Sequence, residues 1–314
     1  MSKEGAGFKK PCPFFSLRKE EMMILHTDHY FSIGQAHLGQ GSPCQDFALS
    51  DVHGDTAFAI VADGCSTGGL TDVGSRVIAL STAQAIRECV GNQPWDKTRR
   101  LIATQQQATM ISSRRMLGLN QQDMLATCVY ALLSPKGGFV HLQGDGVVAF
   151  KHRDGHIRMS RYDWANNMPA YLAYAEDNYA AFIAAQGGDV QAFNLSLEGW
   201  TYTSQHGIGR EPFRDTFSIE KGVAGIAIAI SQAWLENLEF IAVFTDGVTQ
   251  IENQDWKQAV VDLLAFKNVA GEFAKRRMIR HIKDVQKSGK GPIDDIAYAV
   301  IRVQPEEVPS AAQP

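Results

Sequence analysis

Aspartate followed by glycine recurs in this chain in a way that invites chemistry. Asp63-Gly64 closes the apolar run Thr56 to Ala62, Asp145-Gly146 follows the run Gly138 to Gln143, and Asp246-Gly247 follows Glu239 to Thr245. Asp294-Asp295 opens a final apolar run, and Asp46 stands just before Phe47-Ala48-Leu49. A carboxylate at a strand end sits on rigid backbone, with its head at the rim of a sheet. Several such heads at one rim repel one another unless cations lie between them. Mg²⁺ and Mn²⁺ are hard ions that want oxygen ligands of this kind. A glycine after the aspartate lets the backbone turn and lets its carbonyl approach an ion. A single Asp-Gly is an ordinary tight turn; the argument rests on several, each beside an apolar strand.

The elements that must position these residues are readable by length and period. Thr56 to Ala62 is short, apolar and stopped by Asp-Gly, which predicts a buried strand. Cys65 to Leu70 is rich in Gly, Ser and Thr and predicts a loop. Helical spacing predicts helices over Thr71 to Val90 and Asp96 to Met116, and again over Gln254 to Lys267 and Glu272 to Lys287. Strands are predicted at Ala126 to Leu133, Gly138 to Gln143, Glu239 to Thr245 and Ile296 to Val303. The order is strands, two helices, strands, two helices, strand. It lacks the strict alternation of a parallel doubly wound sheet and suits an α+β fold of antiparallel sheets flanked by helix pairs. Residues 1–22 are read as an N-terminal arm, 23–303 as one domain with 161–225 as an insertion or flap, and 304–314 as a disordered tail.

Taken in order, Cys44-Gln45-Asp46, Val61-Ala62-Asp63-Gly64 with Gly68-Gly69, Gly144-Asp145-Gly146, Thr245-Asp246-Gly247 and Asp294-Asp295-Ile296 resemble the motifs of the PP2C family of phosphatases, in a divergent bacterial form. The resemblance runs from about Ser32 to Val303. It implies a four-layer α-β-β-α sandwich and a site for two Mn²⁺ or Mg²⁺ ions, with a possible third. It implies hydrolysis of phosphoserine or phosphothreonine on a protein substrate by a water that the two ions activate, and hence a cognate serine/threonine kinase. By the same resemblance Asp63 would bridge the two ions, Asp246 and Asp294 would complete the first, and the Gly64 carbonyl would bind the second. Asp145 would belong to a weaker third, and Asp46 would orient metal-bound water. Asp295 stands where the family has asparagine and is the alternate to Asp294.

Two departures bear on activity. Many members carry an arginine four residues before the position of Gln45, where this chain has Gly41; phosphate binding would then fall to the metals or to a residue such as His37 or Arg76. Where some members have a histidine after Asp-Gly, this chain has Cys65. The competing reading is a non-catalytic module of the same fold that binds a phosphorylated partner or a nucleotide. The aromatics of 161–225, among them Tyr162, Trp164, Tyr171, Tyr174 and Tyr179, either contact a protein partner or pack the segment onto the sandwich.

Composition bounds the alternatives. The chain has 314 residues, 45% hydrophobic and 20% charged, with a formal net charge of −4. These are globular values, and the mild negative balance argues against a general nucleic-acid binder. The basic run Lys275 to Lys283 reads as the solvated face of an amphipathic helix. The most apolar stretch, Val223 to Ile230, is too short to span a bilayer, so no membrane association is expected. Five cysteines without CxxC spacing fit neither a disulfide scaffold nor a zinc site and suit a reducing cytoplasm.

Overall fold

The computed structural model describes residues 23–188, 193–289 and 291–306. The N-terminal arm and residues 307–314 of the tail lie outside the described residues. Elements are numbered in chain order. One sheet has seven strands in the spatial order β1 (Met23–Ser32), β12 (Ile296–Pro305), β11 (Leu238–Phe244), β6 (Gly146–His152), β7 (Ile157–Trp164), β8 (Phe193–Thr203) and β9 (Gly207–Ser218). The other has five, in the order β10 (Ile226–Ser231), β5 (Gly137–Gln143), β4 (Cys128–Ser134), β3 (Thr56–Ala62) and β2 (Phe47–His53). Every strand pairing in both sheets is antiparallel.

Three apolar layers make the four-layer sandwich. Alternate residues of β3, namely Ala57, Ala59 and Val61, face the other sheet, where they meet Ile241, Val243, Ala299 and Ile301. Their neighbours Phe58, Ile60 and Ala62 face outward under helices α2 (Thr71–Cys89) and α3 (Trp95–Met116). On the opposite side Phe240, Phe244, Tyr298 and Val300 lie under α7 (Trp256–Leu263) and α8 (Phe273–Val285). Strands buried on both faces have no polar alternation, because each side chain points into one core or the other. That is why residues 57–62 of β3, 240–244 of β11 and 296–301 of β12 read as unbroken apolar runs. Among the described residues there are four shorter helices: α1 (Gln35–Gln40), α4 (Ala180–Ala185), α5 (Ile219–Val223) and α6 (Gln232–Leu235).

Boundaries shift where a specific contact intervenes. The strand expected from Ala126 begins at Cys128, because Ala126 is spent on an isolated bridge to Gly64. The helix expected from Gln254 begins at Trp256, because the Asp255 side chain accepts the Lys257 N–H and caps it. β12 carries on through Pro305, so Gln304 and Pro305 pair with Ile24 and Met23. The 161–225 segment holds the end of β7 and all of β8 and β9, which extend the larger sheet, and short turns that run over the end of the sandwich. Its aromatics pack inward. Tyr162 and Trp164 are buried between the sheets, Trp164 meets Phe182 edge-on at 5.4 Å, and Tyr174 stacks on Phe182 at 5.5 Å. Tyr162 and Trp164 belong to the core, while Tyr174 and Tyr179 are half-buried against it.

Candidate metal centre

The strand ends deliver their carboxylates to one rim. Asp63 follows β3, Asp246 follows β11, Asp294 precedes β12, and Asp145 lies in the tight turn between β5 and β6. Asp63, Asp145, Asp246 and Asp294 line a single cavity of about 200 Å³, together with Gln45 and Gly64. The dipeptide at Asp145 is therefore both a hairpin turn and part of the rim.

Asp63 is central. Its carboxyl is near those of Asp46 and Asp246, whose charges act on it. Its backbone is pinned to Thr127, whose Oγ1 meets the Asp63 N at 3.1 Å and whose N–H donates to the Asp63 carbonyl at 2.8 Å. Asp46 is almost fully buried and does not line the cavity; it accepts a 2.6 Å hydrogen bond from Thr245 Oγ1. Thr245 is in turn held on β12, its N–H donating to the Ala297 carbonyl at 3.1 Å and its Oγ1 accepting the Ala297 N–H at 2.9 Å.

The two adjacent aspartates have different fates. Asp295 is buried and its oxygens are spent: Oδ1 accepts the Gly34 N–H at 2.7 Å, and Oδ2 accepts the Gln45 N–H at 2.6 Å and meets His37 Nδ1 at 2.8 Å. Asp294 turns to the cavity. His37, Asp294 and Asp295 bring ligand-type atoms within 4.8 Å of one another, but the His37–Asp295 contact is an internal clamp. The segment passes under Gly247, where a β-carbon would stand 1.7 Å from the Asp295 carbonyl oxygen, so only glycine fits.

Electrostatics follow from crowding. Burial first, then neighbouring carboxylates, push Asp63 well above the usual carboxylate range; the neighbours are Asp46, Asp246 and Asp145. Asp46 and Asp145 are raised well above it and Asp246 is raised, in each case chiefly by burial. The Arg161 guanidinium works the other way on Asp145 and Asp246, while pairing with Asp163 at 2.8 Å.

The donor set fits hard divalent ions. Every carboxylate is an oxygen donor, with no cluster of soft ligands. Among the described residues no hydrogen bond takes up the Gly64 carbonyl, and a β-carbon at Gly64 would stand 2.7 Å from the Thr71 carbonyl. Gln45 Nε2 donates to Thr71 Oγ1 at 2.9 Å, which leaves Gln45 Oε1 a buried acceptor without a partner, as expected of a group waiting for a hydrated ion.

The cavity lining contains no basic side chain. His37 is taken by Asp295. Arg76 donates to the carbonyls of Cys44 and Asp72 and lies over the rings of Phe31 and Phe47. Neither fills the place of the arginine missing at Gly41. Cys65 lines the cavity, with Sγ 3.2 Å from Thr67 Oγ1.

Sequence reasoning missed Gln250. Its Nε2 donates at 3.1 Å to both Asp246 Oδ2 and Asp294 Oδ2, and its carbonyl accepts the Ile293 N–H at 3.0 Å. The clue was its place four residues after Asp246, one turn along a short 3₁₀ segment. It also missed Asn167, Pro169 and Tyr171, which enter the cavity from the 161–225 segment. Replacing Gln250 by alanine should raise the Mn²⁺ concentration for half-maximal activity by about tenfold, with a smaller loss at saturating metal, because partners that orient metal ligands contribute on this scale. A metal titration of activity in wild type and variant checks this; an unchanged midpoint would remove Gln250 from the site.

The chain belongs to the protein phosphatase 2C family, whose model matches residues 33–283. Solved structures with the same fold include the serine/threonine phosphatase Stp1 from Staphylococcus aureus, 12% identical, covering 91% of this chain and 98% of that one with a TM-score of 0.53. The S. agalactiae serine/threonine phosphatase is 14% identical, covering 90% and 100% with a TM-score of 0.51. No curated protein matches the sequence significantly. The family is metal-dependent as a rule. No helix of the described residues is long and apolar enough to cross a membrane.

Proposed function

We propose that this protein is an active phosphatase that removes phosphate from phosphoserine or phosphothreonine of other proteins with the help of two Mn²⁺ or Mg²⁺ ions. The observation that carries the proposal is that four carboxylates, Asp63, Asp145, Asp246 and Asp294, line one cavity together with Gly64. Asp63 would touch both ions, Asp246 and Asp294 would complete one site, and the Gly64 carbonyl the other. Asp145 would serve a weaker third. When bound, such ions supply an activated water and neutralise the phosphoryl oxygens.

The chain's own groups do the rest. Thr245 holds Asp46 against Asp63. Gln45 Oε1 is free to accept a hydrogen bond from water in the cavity. Gln250 holds Asp246 and Asp294 together.

The test is a phosphatase assay on a phosphothreonine peptide and on an aryl phosphate, after dialysis against chelator and again with added Mn²⁺. Turnover should vanish without metal and return with it. Full activity in excess chelator, or none at any metal concentration, would overturn the proposal.

A further inference from the structure

A second charged feature lies away from the carboxylate rim, and nothing in the metal site uses it. Between α8 and the loop after α7 is a pocket of about 190 Å³ whose lining includes Phe266, Lys267, Phe273, Arg276, Arg277 and Arg280. Arg276 and Arg280 are one helical turn apart and Arg277 lies beside them, so all three guanidinium groups reach one groove. The floor is stiff: Phe266 meets Phe273 edge-on at 5.0 Å and Phe240 at 4.8 Å.

These cations feel Glu272 and Asp284 nearby but form no direct pair with either. Arg276 Nη2 donates to the carbonyls of Asn268 and Ala270, at 3.4 and 2.6 Å, and Arg277 Nε donates to the Asp262 carbonyl. Such bonds aim the guanidinium groups without neutralising them. Among the described residues, no salt bridge engages Arg276, Arg277 or Arg280. The nearby carboxylates are committed elsewhere. Glu272 pairs with Lys275 at 2.8 Å and Asp284 with Lys287 at 2.7 Å. Asp262 takes the side-chain amides of Gln254 and Gln258. In a chain of net charge −4, this is a local concentration of unneutralised positive charge.

We infer that this groove docks an acidic peptide segment of a partner protein. Exposed Arg276, Arg280 and Lys283 continue the charge along one face of α8, over about 10 Å at the rise of a helix. That length matches several carboxylates in succession better than one small anion. Guanidinium groups suit carboxylates because they offer paired donors. The groove shares no lining residue with the carboxylate cavity, and the inference holds whether or not the protein turns over phosphate.

The experiment uses the full chain and a fluorescein-labelled dodecapeptide of glutamates spaced by glycines, with anisotropy read in low and high salt. Wild type should bind in low salt and release the peptide as salt rises. Arg280→Glu should weaken binding about tenfold, as reversal of an interface charge does. Arg276→Glu with Arg280→Glu should weaken it further. Metal-dependent turnover of an aryl phosphate and the melting temperature should stay unchanged in the single variant, since Arg280 makes no internal bond. Equal binding by wild type and Arg280→Glu would overturn the proposal. So would displacement of the peptide by low-millimolar inorganic phosphate, which would mean a small-anion pocket, or tighter binding of a DNA duplex of equal charge.

Discussion

Asp63→Asn and Asp246→Asn should each lower metal-dependent turnover by more than about tenfold, a barrier increase of about 1.4 kcal/mol or more, while leaving the fold intact. Both carboxylates belong to the rim whose oxygens would hold the ions, and asparagine keeps the shape but loses the charge. Stability should move the other way in the absence of metal. Burial and like charges raise Asp63 above its ordinary range in the fold. A carboxyl raised by folding binds its proton more tightly in the native than in the unfolded state. Its contribution is therefore present below the unfolded value of about 3.9 and is lost as pH rises toward the raised folded value. At neutral pH the metal-free wild type carries that cost, and the Asp63→Asn variant does not. The variant's amide would also donate between Asp46 and Asp246. Metal-free melting curves at pH 5 and pH 7.5 check this: wild type should lose more on going to pH 7.5 than Asp63→Asn. A variant that kept more than a tenth of wild-type turnover, or melted well below it without metal, would show that Asp63 is not a ligand but a structural residue.

The second large effect separates two neighbours. Asp295→Ala should destabilise the protein by about 2 kcal/mol or more, since three donors, two of them in buried bonds, lose their acceptor at once and each buried unsatisfied group costs about 1–3 kcal/mol. Those donors are the N–H groups of Gly34 and Gln45 and the ring of His37. Asp294→Ala should leave the metal-free melting temperature within a few degrees of wild type, because its carboxylate faces the cavity and meets only Gln250 and the next backbone N–H. It should instead abolish turnover. Urea unfolding and a metal titration of activity on both variants give the two readouts. If Asp295→Ala were stable and inactive while Asp294→Ala kept its activity, the ligand would be Asp295 and the clamp would have been misassigned.

The same pair shows where reading the chain stops. Its spacing placed a carboxylate at the opening of β12, and so at the rim. It left open which of the two neighbours faces the cavity. Adjacent residues point opposite ways, and the choice depends on what waits on each side: for Asp295, two backbone N–H groups and a histidine from residues more than 200 positions away. Arg76 and His37 were possible phosphate contacts in the sequence because both are basic, and the fold spends them on Cys44, Asp72 and two aromatic rings in one case and on Asp295 in the other. Gln250 carried no local signal beyond its distance from Asp246; its role exists only because residues 250–252 and 291–293 lie side by side.

What the amino-acid sequence determined alone is the set of local elements with strong periods and their punctuation. Fully buried strands must be apolar on both faces, long amphipathic helices must repeat every three to four residues, and Asp-Gly marks where a strand stops. These constraints act within a few residues of each other, so they are legible in one dimension. They were enough to put Asp63, Asp145, Asp246 and Asp294 at strand ends. The tertiary structure decided what depends on pairing across long separations. It paired the aromatic-rich stretch after Arg161 into β8 and β9. β8 alternates, with Leu195 and Leu197 buried and Ser196 and Glu198 half-buried, a legible period of two that sequence reasoning missed. The described side chains of β9, by contrast, are all exposed or half-buried and display no inward face, and the fold buried Tyr162 and Trp164 between sheets. It also brought Asp46, 199 residues before Thr245, into the same hydrogen bond. The free energy of such contacts belongs to pairs of segments rather than to either one, so neither segment's sequence displays it.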